Sequence, residues 1–237
     1  MKCIAEYHTH TKYSDGKSTM EENVLFARKI GLRKIGISDH GYMHKGFGVK
    51  YRDYPKMKDE IERLREKYQD IKIFLGVEAN VLDDRGNIDV DDYIRNYVDY
   101  VMAGYHFGSM PPNMRGLKNH VRNFIKPLKP REMDYNTRAL VNAMRDNQIF
   151  ILTHPGDKGD VYIEEVAKMA EKTSTVLEIN AHHDHLSKDQ IEKIKHMDIK
   201  FAIGSDAHHH THIGMTQSAL SRAHSAGLSK KQIINVI

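Results

Sequence analysis

The 237-residue sequence predicts one α/β domain built from seven successive βα units, and three observations carry that prediction. Short apolar, β-branched runs alternate with amphipathic stretches, the signature of strands each followed by a helix. No low-complexity linker, composition break or solenoid-period repeat divides the chain. Six of the seven expected strands end in histidine, aspartate or glutamate, which suits parallel strands whose carboxyl ends meet on one face.

Strands are expected at residues 3–8, 34–38, 71–77, 98–104, 149–153, 175–180 and 199–204. Helices fit residues 19–31, 52–68, 131–147, 160–172, 187–196 and 214–226, with a short helical piece near 90–96. Turn chemistry agrees: Gly31 and Gly227 stop the first and last helices, and Ser187 is placed to cap the helix at 187–196. Two stretches read as long irregular loops, 40–51 with Gly41, Gly46 and Gly48, and 107–130 with Pro111, Pro112, Gly116, Pro127 and Pro130. Such loops in a compact α/β protein are more often functional than idle, so both are expected beside the active site as lids or substrate walls.

The length suffices to bury a core without disulfides. Cys3, the single cysteine, lies in an apolar run and reads as a buried thiol of a reducing compartment, which excludes a zinc-thiolate site. No apolar run approaches a membrane span and no apolar leader follows Met1, so the expected location is cytoplasmic. A net charge of +4 with 29% charged residues of mixed sign permits an anionic substrate without requiring nucleic acid. Sixteen histidines point to metal chemistry, since imidazole is the commonest transition-metal ligand.

The first strand runs into His8-Thr9-His10, followed by Tyr13-Ser14-Asp15-Gly16. In an extended segment residues i and i+2 share a face, so His8 and His10 can aim two imidazoles at one point. Later strand ends supply partners in order: Ser38-Asp39-His40-Gly41, Val77-Glu78-Ala79-Asn80, Gly104-Tyr105-His106, Thr153-His154-Pro155, and Ser205-Asp206-Ala207-His208. The candidate ligands are therefore His8, His10, Asp15, His40, Glu78, His106, His154, Asp206 and His208. Nine nitrogen and oxygen donors exceed the coordination of one ion and suit two or three ions of the zinc, manganese or iron kind.

These motifs, in this order and over nearly the whole chain, resemble the polymerase and histidinol phosphatase (PHP) family. Gly76-Val77-Glu78-Ala79-Asn80 and the following Asp84-Arg85-Gly86-Asn87-Ile88-Asp89 are most similar to its stand-alone phosphatase-like members. The resemblance implies a single PHP domain over residues 1–237, folded as a distorted (β/α)7 TIM-like barrel, with a trinuclear metal site at the C-terminal ends of the strands. It implies His8, His10, Glu78 and Asp206 on a first ion, Glu78, His106 and His154 on a second, and Asp15, His40 and His208 on a third. Some relatives carry histidine at the position of Asp15, which makes the third ion the expected point of variation.

Three divalent ions against three carboxylates leave a positive surplus that attracts a phosphate dianion. The expected nucleophile is a metal-bridging water, held through His8, His10, Glu78 and Asp206 and attacking phosphorus in line. No GxSxG-type nucleophile motif is present. The expected activity is hydrolysis of a small phosphate monoester. An exonuclease or phosphodiesterase acting on nucleotides is the alternative; the lack of tryptophan and the interleaving of acids with bases tilt against it. A non-catalytic metal-binding module is a further alternative, weakened because all nine ligand positions are filled. The substrate-binding residues and oligomeric state are not legible.

Other residues carry two readings each. Asp39 is either an orienter of His40 or a packed strand-end acid. His182, His183 and His185 could touch substrate or a proton path, or form an exposed polar loop. His209, His210 and His212 read mostly as solvated. Lys17, Lys45, Lys50 and Arg52 could clamp phosphate but are individually more often plain surface charges.

Overall fold

A computed structural model describes residues 1–237, with side chains at all of them except Lys126. The seven apolar runs become strands β1 (Ala5–Glu6), β2 (Lys34–Ile37), β3 (Lys72–Asn80), β4 (Tyr100–Gly104), β5 (Ile151–Leu152), β6 (Val176–Asn180) and β7 (Phe201–Gly204). All pair in parallel in chain order, forming a nearly closed barrel. Most strands are trimmed relative to their apolar runs, but β3 continues past Val77, so Glu78 lies inside the strand and not after it.

Outside the barrel lie α1 (Met20–Lys29), α2 (Tyr54–Lys67), α3 (Asp92–Arg95), α4 (Met114–Phe124), α5 (Met133–Asp146), α6 (Ile163–Thr173), α7 (Lys188–Ile194) and α8 (Gln217–Ser225). The buried faces follow helical spacing: Met20, Asn23, Val24 and Ala27 in α1, and Tyr54, Met57, Ile61 and Leu64 in α2. Thr19 and Ser187 form reciprocal capping boxes with Glu22 and Gln190. Gly31 and Gly227 follow α1 and α8 at φ of 81° and 80°.

The stretch 107–130 is not the irregular loop that its prolines suggest, because α4 occupies its centre. This helix turns a polar face inward. Asn119 and Asn123 are buried, Asn119 bonding the Tyr105 hydroxyl (3.1 Å) and Asn123 exchanging amide bonds with Asn136 (2.9 and 3.0 Å). Met114, Leu117, Val121 and Phe124 face outward. The apolar residues keep helical spacing, and the flanking Pro111, Pro112, Pro127 and Pro130 mask the helix.

Two apolar layers result. Ile35, Ile37, Ile73, Leu75 and Val77 pack among the helices, while Met102, Ile151, Val176 and Ala202 form a second cluster against Tyr7, Tyr100 and Phe150. The seam between β1 and β7 is closed in two ways. Near the carboxyl ends, His10 N donates to Ala207 O (2.9 Å) and Ala207 N to His8 O (3.2 Å). Lower down, residues 233–237 enter the gap: Ile4 N bonds Asn235 O (3.0 Å) and Ile234 N bonds Phe201 O (2.9 Å). The buried Asn235 amide spans both sides, donating to Ala5 O (2.9 Å) and Ile203 O (2.8 Å) and accepting from Ile203 N (3.0 Å).

Candidate metal centre

The closed upper seam fixes the backbone on which His8 and His10 stand, and their rings lie side by side with centroids 5.2 Å apart. His8 Nε2 is 3.4 Å from both Glu78 Oε1 and Asp206 Oδ1. His10 Nε2 is 3.2 Å from Asp206 Oδ1 and 3.8 Å from Glu78 Oε2. Donors about 2.1 Å from a tetrahedral ion stand about 3.4 Å from one another, so this spacing fits one. Glu78 Oε1 also lies 3.2 Å from His106 Nε2 and 3.1 Å from His154 Nε2. Asp15 Oδ2 lies 3.2 Å from His208 Nε2 and 3.6 Å from His40 Nε2. The structure thus brings all nine candidates together; donor atoms close enough for one ion fall into the groups His10, Asp15, His40 and His208; His8, His10 and Glu78; His40, Glu78 and His106; and His154, Asp206 and His183.

The hydrogen-bond accounting supports the fit to cations. His8 Nε2, both ring nitrogens of His10, His40 Nδ1 and Glu78 Oε2 are buried without a hydrogen-bond partner. Such atoms are scarce in folded proteins, and these five lie together, His10 Nε2 facing Asp206 and Glu78 and its Nδ1 facing Asp15. Where a candidate ring nitrogen faces away from the cluster, a neighbour often occupies it: Glu178 Oε1 at His8 Nδ1 (2.7 Å), Asn80 Oδ1 at His106 Nδ1 (2.9 Å), and the Asp206 carbonyl at His208 Nδ1 (2.9 Å). This is how metal-binding imidazoles are usually aimed.

Burial alone would strip Glu78 and Asp206 of charge. Instead, His106 and His8 beside Glu78, and His8 and His10 beside Asp206, hold both carboxyls well below the usual range. Burial and the neighbouring His40 pull His10 down to about 4, and burial brings His106 to about 4 against the pull of Glu78. Burial also opposes charge on His8 and His40. Glu178, Asp206 and Glu78 around His8, and Asp15 and Glu78 around His40, outweigh it and raise both rings. The carboxylates demand positive charge, which protons on these rings supply and cations can supply in their place.

Two candidate ligands hold strained backbone: His154 has φ 29° and Asp206 φ 52°. Such conformations cost about 1–3 kcal/mol each and persist where surroundings enforce them. Glu178 Oε2 accepts from His154 N (2.9 Å), and Asp206 Oδ2 accepts from Asn180 Nδ2 (3.3 Å).

Several expectations change. Asp39 takes bonds from Thr11 N and Thr11 Oγ1 (each 2.6 Å) and from Ser14 Oγ, fixing the turn that delivers Asp15; it is not an orienter of the His40 ring. Buried Glu6 and Glu178 lie outside the sequence-derived set, and the available signal for both is an acid inside an apolar strand. Glu6 bonds the backbone of His8 and Ser205, and burial pushes its carboxyl up to about 7 against those bonds. His44, from the 40–51 loop, stacks on His40 with centroids 4.7 Å apart. His183 enters the cluster, 3.4 Å from Asp206 Oδ2. His210 is tied to Ser18 (3.0 Å), and Lys17, Lys45, Lys50 and Arg52 are exposed.

Residues 6–182 match the PHP domain family. The chain belongs to that family. A probable phosphatase of Thermoanaerobacter sp. (strain X514) is 30% identical over 251 residues, covering 99% of this chain and 91% of the relative. A probable phosphatase of Clostridium acetobutylicum is 28% identical with the same coverage. Among solved structures, the histidinol phosphate phosphatase of Lactococcus lactis, complexed with zinc, L-histidinol and phosphate, superimposes with a TM-score of 0.66 at 16% identity. It covers 97% of this chain and 95% of its own. The likeness places this PHP domain in the same barrel fold, and β7 with the closing segment at 233–237 lies beyond the family match.

Proposed function

We propose that this metal-dependent phosphoric ester hydrolase acts on a small phosphate monoester at a trinuclear centre. The observation that carries the reading is the clustering of unpartnered buried nitrogen and oxygen atoms of His8 and His10 after β1, His40 after β2 and Glu78 in β3. His8, His10, Glu78 and Asp206 would hold one ion, Glu78, His106 and His154 a second, and Asp15, His40 and His208 a third. Bound divalent ions of the zinc, manganese or iron kind offset phosphoryl charge and lower the pKa of water they hold. Glu178, Asn80 and Asp39 keep the donors aimed. The 40–51 and 107–130 segments are stitched together beside His40 and His106 by Lys45 N on Gly108 O (2.8 Å) and a bridge between His44 and Ser109.

The same proposal takes residues 1–237 as a single PHP domain in a reducing, cytoplasmic setting, supported by the buried free thiol of Cys3. No helix is long and apolar enough to cross a membrane among the described residues.

The test is turnover of p-nitrophenyl phosphate by metal-stripped protein reloaded with zinc or manganese. We expect activity to return with metal and to fall at least about 100-fold in folded His10→Ala and Asp206→Ala variants. Equal turnover without metal would sink the hydrolase reading; preference for bis(p-nitrophenyl) phosphate or oligonucleotides would sink the monoester one.

A further inference from the structure

His183 stands one residue beyond the family match and belongs to none of the three ligand sets proposed above. Its surroundings are nevertheless those of an aimed ligand. The loop after β6 is held from both sides. Asn180 Oδ1 accepts from His182 N (2.8 Å) and His183 N (3.0 Å). From α8, the Arg222 guanidinium donates to the carbonyls of Asn180, His183 (2.8 Å) and Leu186 (3.1 Å). A solvated loop has no need of such a clamp. The result is that His183 Nδ1 faces the Asp157 carboxylate at 3.4 Å while Nε2 faces Asp206 Oδ2 at 3.4 Å. That carboxylate–imidazole–ligand line resembles, at a longer 3.4 Å, the 2.7 Å contact of Glu178 with His8 on the other side of Asp206, and Asp157 Oδ2 also takes Lys158 Nζ at 2.6 Å. Donor atoms of His154, His183 and Asp206 all lie within 4.8 Å of one another, close enough for one ion.

We propose that His183 is a tenth ligating side chain, forming with His154 and Asp206 an ion-binding position that the nine-residue set lacks. Asp206 then offers Oδ1 to the His8–His10 side and Oδ2 to the His183 side. Asp157 and Arg222 are positioning residues for this ligand. The inference rests on the reading of the cluster as a metal centre, and it is independent of which ester is cleaved.

The experiment is equilibrium dialysis of the metal-stripped full chain against zinc and manganese, with metal content counted by mass spectrometry. Competition with a chromophoric chelator gives the affinities, and the visible absorption of the cobalt-loaded protein gives the ligand field. Circular dichroism checks folding. We expect folded His183→Ala and His183→Gln to lose one equivalent, or to bind one equivalent at least tenfold more weakly, with an altered cobalt spectrum. Asp157→Asn should weaken the same equivalent by about tenfold, and the exposed His196→Ala should match the parent. Unchanged metal count, affinity and spectrum in His183→Ala overturn the proposal. So does full retention in His183→Gln, whose amide can still bond Asp206. A parent protein that binds no metal overturns instead the metal-centre reading beneath it.

Discussion

Gly204 leaves room for Glu178: a Cβ at that position would stand 2.0 Å from Oε1, the atom that holds His8. Gly204→Ala should therefore weaken metal retention by about 10–100-fold without altering any candidate ligand, measured by chelator competition. Cys3 makes a second residue-scale prediction. Burial pushes its thiol up to about 11 from an ordinary 9.0, so at pH 8 the reactive thiolate is about 100-fold scarcer than in the unfolded chain. Labelling by a disulfide reagent at pH 8 should accelerate by at least that factor in denaturant; equal rates would contradict burial of the thiol. The nine candidate ligands were legible in the sequence because eight of them follow an apolar strand and the ninth, Glu78, interrupts the apolar run of β3, where a charged or imidazole side chain has no packing role. Glu6, Glu178 and Asn80 were not, because they act on the site only through hydrogen bonds to other residues. Only the contacts show that they serve the site and do not simply sit in the core.

At the scale of elements, α4 inverts the usual amphipathic rule. Asn123 and Asn136 satisfy each other in a buried pair, so Asn123→Leu would strand the Asn136 amide oxygen and should cost about 1–3 kcal/mol. Leu117→Lys, on the outward face, should stay within about 0.5 kcal/mol of the parent. Urea titrations of the two variants check the contrast, and the reverse order would mean that the apolar face is the one that anchors the helix. The helix escaped the sequence because prolines at 111, 112, 127 and 130 flank it, not because it lacks apolar spacing. Helices α1, α2, α5 and α6 bury their apolar stripe, whereas α4 exposes its own and is held by the amides of Asn119 and Asn123.

At the scale of the whole molecule, seven repeats of strand and helix were readable from periodicity, but closure of the barrel was not. Nothing in the pattern of Ile233-Ile234-Asn235-Val236-Ile237 says that it fills the seam between β7 and β1. Asn235→Ala would leave Ile203 N, Ile203 O and Ala5 O buried without their partners. We expect a loss of about 3 kcal/mol, a fall in Tm of roughly 6–12 °C for a domain of this size, read by thermal denaturation. An unchanged Tm would mean that the seam is held by its backbone bonds alone. The seam also decides when the centre can exist. Glu6 and Ser205, which meet across it, are 199 residues apart in sequence. A ribosome delivers the His8–His10 pair almost at once, then makes it wait for Asp206 until nearly all of the chain has emerged. An ion gripped by both would be a clasp on a loop of most of the chain, one that holds the five strands between β1 and β7.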